Sequence, residues 1–228
     1  PWTGLGGKLG ARRAMARVTD ICTNALKQFQ TVWVTSEEDK ASLATPTRVL
    51  PNIPYADDLE GWLQPLPASP ESKELLFVGD LQFPPNREGL DHFIAKVWPL
   101  IRANIADATL TIVGRGLSDE MRAKWSKIAG LNVVGFAPSL EDCYRRCAMT
   151  IVPIYFGGGT KIKVLESLAY GRTVVTTPQA MRGYADLAAA PPSVAVTGND
   201  EEFAAAAVKL LREPAPVSYT HLRAHETL

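Results

Sequence analysis

The stretch MTIVPIYFGGGTKIKVLESLAYGRTVVTT, Met149 to Thr177, decides the fold. It opens on a β-branched run, Met149 to Ile154, of strand length. Three successive glycines, Gly157 to Gly159, then break the pattern. Apolar residues at helical spacing predict a helix over Thr160 to Tyr170, stopped by Gly171. A second β-branched run, Arg172 to Thr177, follows directly. Strand, glycine loop, helix and strand in that order form a unit that feeds a parallel sheet.

The alternation continues outward from this unit. Further strands are predicted at Leu75 to Gly79, Thr109 to Gly114, Asn132 to Phe136 and Ser193 to Gly198. Helices are predicted over Arg87 to Asn104, Ser118 to Ala129, Ser139 to Cys147 and Asp200 to Arg212. Ser139, with Asp142 behind it, and Asp200, with Phe203 behind it, read as helix caps. The chain is therefore α/β with a doubly wound parallel sheet, in which ligands sit beyond the carboxyl ends of the strands. The loops after Gly79, Gly114, Gly135 and Ile154 are the places to look for function.

Residues 1–55 read differently. An Arg-rich helix over about Ala11 to Phe29, a strand from Thr31 to Ser36 and a polar helix start at Ser36 cannot close a core between them. They are expected to be the remnant of a preceding domain, and RVLPNIPY, Arg48 to Tyr55, opens a linker that continues Pro-rich to Pro70. Gly4, Gly6, Gly7 and Gly10 follow no strand and so form no nucleotide fingerprint; a frayed loop is expected there. The chain opens on Pro1 rather than Met and reads as an internal piece. The main domain is expected over 56–212. The tail, 213–228, follows no apolar period and reads as extraneous. Its His221 and His225 supply two ligands where a metal site needs three or four.

Lys and Arg together number 24, as do Asp and Glu, so no global field draws the chain onto nucleic acid or an anionic membrane. Any anion is bound locally. Cys22, Cys143 and Cys147 make no disulfide framework, and Cys143 and Cys147, four apart on a predicted helix, read as small buried apolar residues. No apolar run approaches the roughly 20 residues that span a bilayer. A cytoplasmic protein, or one peripheral at the inner face of the membrane, is expected.

The chemistry concentrates in GGGTKIKVLESLAYG. Its glycines let the backbone approach a ligand, and the first N–H groups of the helix point at that ligand, so an anion is the favoured guest. Lys161 and Lys163 stand in the first turn against the helix dipole, a placement that a phosphate would neutralise. Glu166, about one and a half turns further on, can accept two hydrogen bonds from neighbouring hydroxyls such as those of a ribose. Pyrophosphate and ribose together make a nucleotide. The same residues also suit a glycine-rich turn with solvated lysines and a Glu166 paired at helical spacing. The residues alone leave both readings open.

Seven cues stand in order: VTSEED, VLPN, LLFVGD with PN downstream, LTIVGRG, NVVGF, TIVPI and GGGTKIKVLESLAYGRTVVTT. With them the chain resembles the retaining group 1 glycosyltransferases, family GT4, from about Thr31 to Leu211. The resemblance implies the GT-B fold, two Rossmann-like domains across a cleft, with this chain mainly the donor-binding half. It implies Glu166 on the donor ribose and the backbone of Gly158, Gly159 and Thr160 at the diphosphate. Gly135 and Phe136 would lie near the base, with Gly114 and Arg115 lining the same cleft.

Two features depart from the family pattern. Its first glutamate, eight positions before Glu166, is here Gly158. The Arg and Lys that follow the first strand of the domain give way to Asp80 and Pro85, with Asn86, Arg87, Lys161 or Lys163 as substitutes. For Arg87 a solvated first-turn position is an equal reading.

The function so implied is transfer of a sugar from a nucleoside diphosphate donor to an acceptor hydroxyl with retention. No cofactor or metal is expected, and UDP stands ahead of GDP as the carrier. The acceptor, whether glycan, lipid or small molecule, and the catalytic side chains are unassigned. Two other functions share these features: a nucleotide-sugar 2-epimerase of the same architecture, and a non-catalytic nucleotide-binding module, which Gly158 in place of glutamate would suit.

Overall fold

The computed structural model describes residues 5–52, 71–188 and 193–213. Most of the expected linker, from Ile53 to Pro70, lies outside the described residues, as do Gly4 and the tail beyond Glu213. The chain divides into two compact units, Pro1–Asn52 and Ile53–Leu228.

In the first unit, helix α1 (Leu5–Leu26) precedes strand β1 (Val32–Val34), helix α2 (Glu37–Ala41) and strand β2 (Thr47–Val49). The strands pair in parallel, Val32 opposite Thr47 and Val34 opposite Val49. Ser36 caps α2, its hydroxyl accepting from the Asp39 amide at 3.1 Å. Two expectations are corrected here. Gly6, Gly7 and Gly10 are helical, not looped. Each costs about 1 kcal/mol against alanine, but once Ala11 to Leu26 is wound every further residue adds a hydrogen bond. Arg48 and Val49 belong to a strand, not to a linker, because β1 needs a partner for its backbone groups: the Leu50 amide donates to Val34 O and the Val32 amide to Pro46 O. Val18, Ile21, Phe29, Trp33 and Leu50 are each more than half exposed, so this unit holds little core of its own.

The second unit alternates strand and helix throughout. Strand β3 (Glu74–Val78) leads to α3 (Pro84–His92), a π-helical turn (Phe93–Val97) and α4 (Trp98–Asn104). Then come β4 (Thr109–Val113), α5 (Asp119–Trp125), β5 (Leu131–Gly135), α6 (Leu140–Arg146) and β6 (Met149–Val152). The unit ends with α7 (Ile162–Ala169), β7 (Thr173–Thr176), α8 (Ala185–Ala188), β8 (Val194–Val196) and α9 (Asp200–Arg212). The six strands are parallel, in the order β5-β4-β3-β6-β7-β8. This is the doubly wound, Rossmann-like sheet that the β-branched runs predict. Leu75 and Phe77 pack with Phe93, Trp98 and Phe203 on one face, while Leu76 joins Val113 and Tyr144 on the other. That two-residue alternation, apolar both ways, is what a parallel sheet covered on both faces requires.

Three local details differ from expectation. The helix after β3 starts at Pro84, since two prolines fit a first turn whose N–H groups have no helical acceptor. It then widens into the π turn just before Pro99, which has no N–H for the carbonyl of Ala95 and whose ring would collide with it in a regular helix. Asn199 rather than Asp200 caps α9, its side chain accepting from the Glu202 amide at 2.8 Å. Cys143 and Cys147 are buried, and burial raises both thiols, Cys147 to about 12, which keeps them unreactive.

Gly89 lets α3 press against the end of β6: a Cβ there would stand 1.9 Å from Pro153 O. Gly89→Ala must force these backbones apart and is expected to cost about 1–3 kcal/mol. A lower urea midpoint with unchanged slope would show it; an unchanged midpoint would mean that the two elements can separate freely.

Candidate functional site

The chain winds outward from β3 through β4 to β5, and from β6 through β7 to β8 in the other direction. The loops that leave β3 and β6 therefore diverge, opening a crevice at the carboxyl ends of these two neighbours. Gly79 to Phe83 form one wall and Pro153 to Lys161 the other.

Gly157 and Gly159 adopt φ of 99° and 72°, the left-handed region that side chains with a Cβ resist. A Cβ built on Gly158 or Gly159 would meet nothing within 4 Å, so the loop faces open space. Behind it, Lys161 turns back on its own loop and donates to Gly158 O at 2.6 Å and Gly159 O at 2.8 Å. Its burial, and then Arg182, lower its pKa.

Lys163 reaches the other way, across the crevice. Its Nζ donates to Asn86 Oδ1 at 2.7 Å and lies 4.8 Å from the centre of the Phe77 ring. Asn86 is 7% exposed, and its own amide nitrogen donates to Asp80 O at 2.8 Å. The amine comes so close to the end of β3 that a Cβ on Gly79 would stand 2.6 Å from it. Burial brings Lys163 down to about 7 from 10.5; Glu166 opposes the shift and Lys161 adds to it. Glu166 is half-buried, raised by burial and lowered in part by Lys163.

The remaining candidates spread along the same edge of the sheet. Arg115 is 80% exposed and its Nε donates to Asp80 Oδ2 at 2.8 Å. Asp80 also accepts from the Gln82 amide at 2.9 Å; that bond first, then Arg115, holds its carboxyl below the usual value. Gly114 is explained by strand contact, since a Cβ there would fall 1.7 Å from Gly79 O. Gly135, with φ of 80°, ends β5, and Phe136 beyond it is 77% exposed. Both stand two strands away from the crevice. Arg87 is half-exposed, 3.7 Å from Glu88. Thr160 sits in the glycine loop, half-buried.

The profile described as "Glycosyl transferases group 1" matches residues 72–213. The chain belongs to the group 1 glycosyltransferases. A Klebsiella pneumoniae protein, described as an uncharacterized 44.6 kDa protein in the cps region, is 33% identical over 111 residues, which cover 45% of this chain and 28% of that protein. Among solved structures, S. aureus TarM, in complex with fondaparinux, alpha-GlcNAc-glycerol and UDP, superposes with a TM-score of 0.74 at 13% identity, over 92% of this chain and 42% of TarM. Anabaena HepE with UDP and glucose gives 0.61 at 14%, over 85% of this chain and 57% of HepE. The chain thus spans under a third of the curated relative and about half of these structures. The likeness to them is one of fold, the Rossmann-like domain of GT-B glycosyltransferases.

For a group 1 glycosyltransferase the site holds groups that the sequence does not announce. Asp80 and Arg115 pair across 35 positions, which no local pattern signals. Gln179 steadies the glycine loop by donating to Gly157 O at 2.6 Å, and Thr177 donates to Ile154 O. His92 binds Asp200 at 2.8 Å with the Tyr155 ring against it, beside a cavity of about 270 Å³ lined by Tyr155, Thr177, Gln179 and Asn199. Among the described residues no three His, Cys, Asp or Glu side chains gather as a metal cluster, and no helix is long and apolar enough to cross a membrane.

The Lys163 amine predicts a pH response. Its folded pKa, about 7, lies below the unfolded 10.5, so between these values the unfolded chain binds more protons and this group's contribution to stability rises with pH. The advantage of Lys163→Met over the natural chain, read from urea midpoints, is expected to be largest near pH 7 and to shrink towards pH 9, by at most about 1.4 kcal/mol per unit. A constant difference would place the amine in water.

Proposed function

We propose that this chain is mainly the donor-binding half of a GT4-type retaining glycosyltransferase, moving a sugar from a nucleoside diphosphate to an acceptor hydroxyl. One observation carries the reading: at the switch point of the sheet, an open glycine loop lies beside a half-buried carboxylate and a half-buried amine on the helix that follows it. Charge develops on the leaving diphosphate during transfer, and donors already aimed at it lower the barrier. The amides of Gly158, Gly159 and Thr160 and the N-terminus of α7 serve that purpose, together with lysine and without a metal. Glu166 holds the ribose hydroxyls, Phe136 offers a face to the base, and Arg115 lines the cleft beside it. UDP, the nucleotide bound by TarM and HepE, is preferred to GDP.

In this reading residues 1–55 are part of the acceptor-side domain, which fits the exposed apolar residues of the first unit. The catalytic and acceptor-binding groups then belong to that domain. Reacting groups must be held together for transfer, so the chain alone binds donor but turns over little. The vacancy at Gly158, where the family carries glutamate, favours as a second reading a nucleotide-binding module that transfers nothing.

Calorimetric titration with UDP and GDP tests the first reading. UDP is expected to bind the more tightly, and Glu166→Ala to weaken it by roughly 10- to 100-fold, the loss of hydrogen bonds to a charged group. Unchanged affinity in that variant would remove the ribose assignment. Donor hydrolysis by the chain joined to a complete acceptor-side domain separates the enzyme from the inert module.

A further inference from the structure

The sequence offers four cations to a diphosphate, and three of them are engaged elsewhere. Arg115 is held by Asp80, 2.8 Å away. Lys161 donates twice to its own loop. Arg87 lies at the surface beside Glu88. Lys163 is placed differently: it starts on the helix that follows β6 and ends against β3, so it spans the crevice.

Its surroundings are short of negative charge. On its own helix the charged groups near it are Glu166 and Lys161, of opposite sign. From β3 and α3, among the described residues, it meets the Phe77 ring and the Asn86 carboxamide, both neutral. The hydrogen bond to Asn86 uses one of three ammonium hydrogens, and its acceptor carries no charge. A half-buried ammonium so placed is stabilised by an incoming anion.

We infer that Lys163 is the cation that reads the donor's diphosphate, in place of the basic residues absent after β3, and that it takes up a proton when the donor binds. The inference rests on the reading of the crevice as a donor site. Asn86 fixes the geometry: its amide nitrogen is tied to Asp80 O, which leaves its oxygen facing the amine. Before donor binds, Lys163 titrates at about 7, so above that pH most chains hold a neutral amine. Both phosphates of a nucleotide sugar stay ionised there, and their charge restores the ammonium. One proton passes from solvent to Nζ, and no covalent bond forms or breaks. Donor affinity therefore falls as pH rises through 7, a dependence that an arginine at the same place would not show because its charge never leaves.

Calorimetric titration of the whole chain with UDP-glucose near pH 6.5 and near pH 8.5, each in two buffers of different ionisation enthalpy, reads both effects. Affinity is expected to fall by about 20-fold between the two, with net proton uptake at the higher pH. Lys163→Arg is expected to bind with little change across the range, and Lys163→Met weakly at both. Equal affinity of the natural chain at the two pH values without proton uptake overturns the inference and leaves the donor-site reading standing. So does Lys163→Met binding as tightly as the natural chain near pH 6.5. Absence of UDP-glucose binding at either pH removes the donor-site reading, and the inference with it.

Discussion

Parallel strands can be joined only by crossovers, so a doubly wound sheet must reverse its direction of travel once. In this chain the reversal falls between β3 and β6. Nothing else about the site is arbitrary once that is set. The two loops at the reversal lead to helices on opposite faces, and the gap between them exposes backbone at the sheet's carboxyl edge. Glycines hold the gap narrow: Gly79 against Gly114 on one side, Gly89 against Pro153 on the other. Because α3 can press on the end of β6, Asn86 in its first turn comes within reach of Lys163 in the first turn of α7. A site built from residues 77 positions apart thus depends on the absence of side chains at a few points.

The two lysines of the glycine loop divide the work. A trans peptide carries its C=O and N–H on opposite sides. Lys161 gathers the carbonyls of Gly158 and Gly159, which turns the amides of the same peptide units, those of Gly159 and Thr160, away from it. Its effect is to orient the loop. Lys163, two residues on, projects to another side of the helix and meets the opposite wall. With Lys161 at the N-cap and Lys163 in the first turn, the two-residue spacing prevents both from serving one ligand in the same way.

That division marks the limit of what the sequence discloses. The four inner strands of the main sheet, β4, β3, β6 and β7, are readable because a strand buried on both faces has to be a nearly continuous apolar and β-branched run, as at Thr173–Thr176 or Thr109–Val113; the edge strands β5 and β8 are only partly buried. The glycine loop is readable for the same local reason. Where two good capping residues are adjacent, as at Asn199 and Asp200, composition alone does not choose between them. The π turn depends on how Pro99 meets a carbonyl one turn back, and β2 on a partner strand fifteen positions away. Both are tertiary facts. Within the site, GGGTKIKVLESLAYG displays two lysines and a carboxylate, but which lysine faces the crevice depends on Asn86, which lies far upstream.

The departures from the family pattern now read as one adjustment of charge. Neither space nor a left-handed backbone requires glycine at 158, since a Cβ there would meet nothing within 4 Å and its φ is not positive. What the position lacks is a carboxylate. The loop after β3 lacks two basic groups, and the acid that stands in for one of them, Asp80, is matched by Arg115. Removing a negative group from one wall and positive groups from the other leaves a crevice whose balance rests on Glu166 and an amine that titrates near neutrality. Restoring a glutamate at 158 alone would add a negative charge to the exposed loop, beside carbonyls already turned towards Lys161. Both departures bear on one balance of charge, from opposite walls of the crevice.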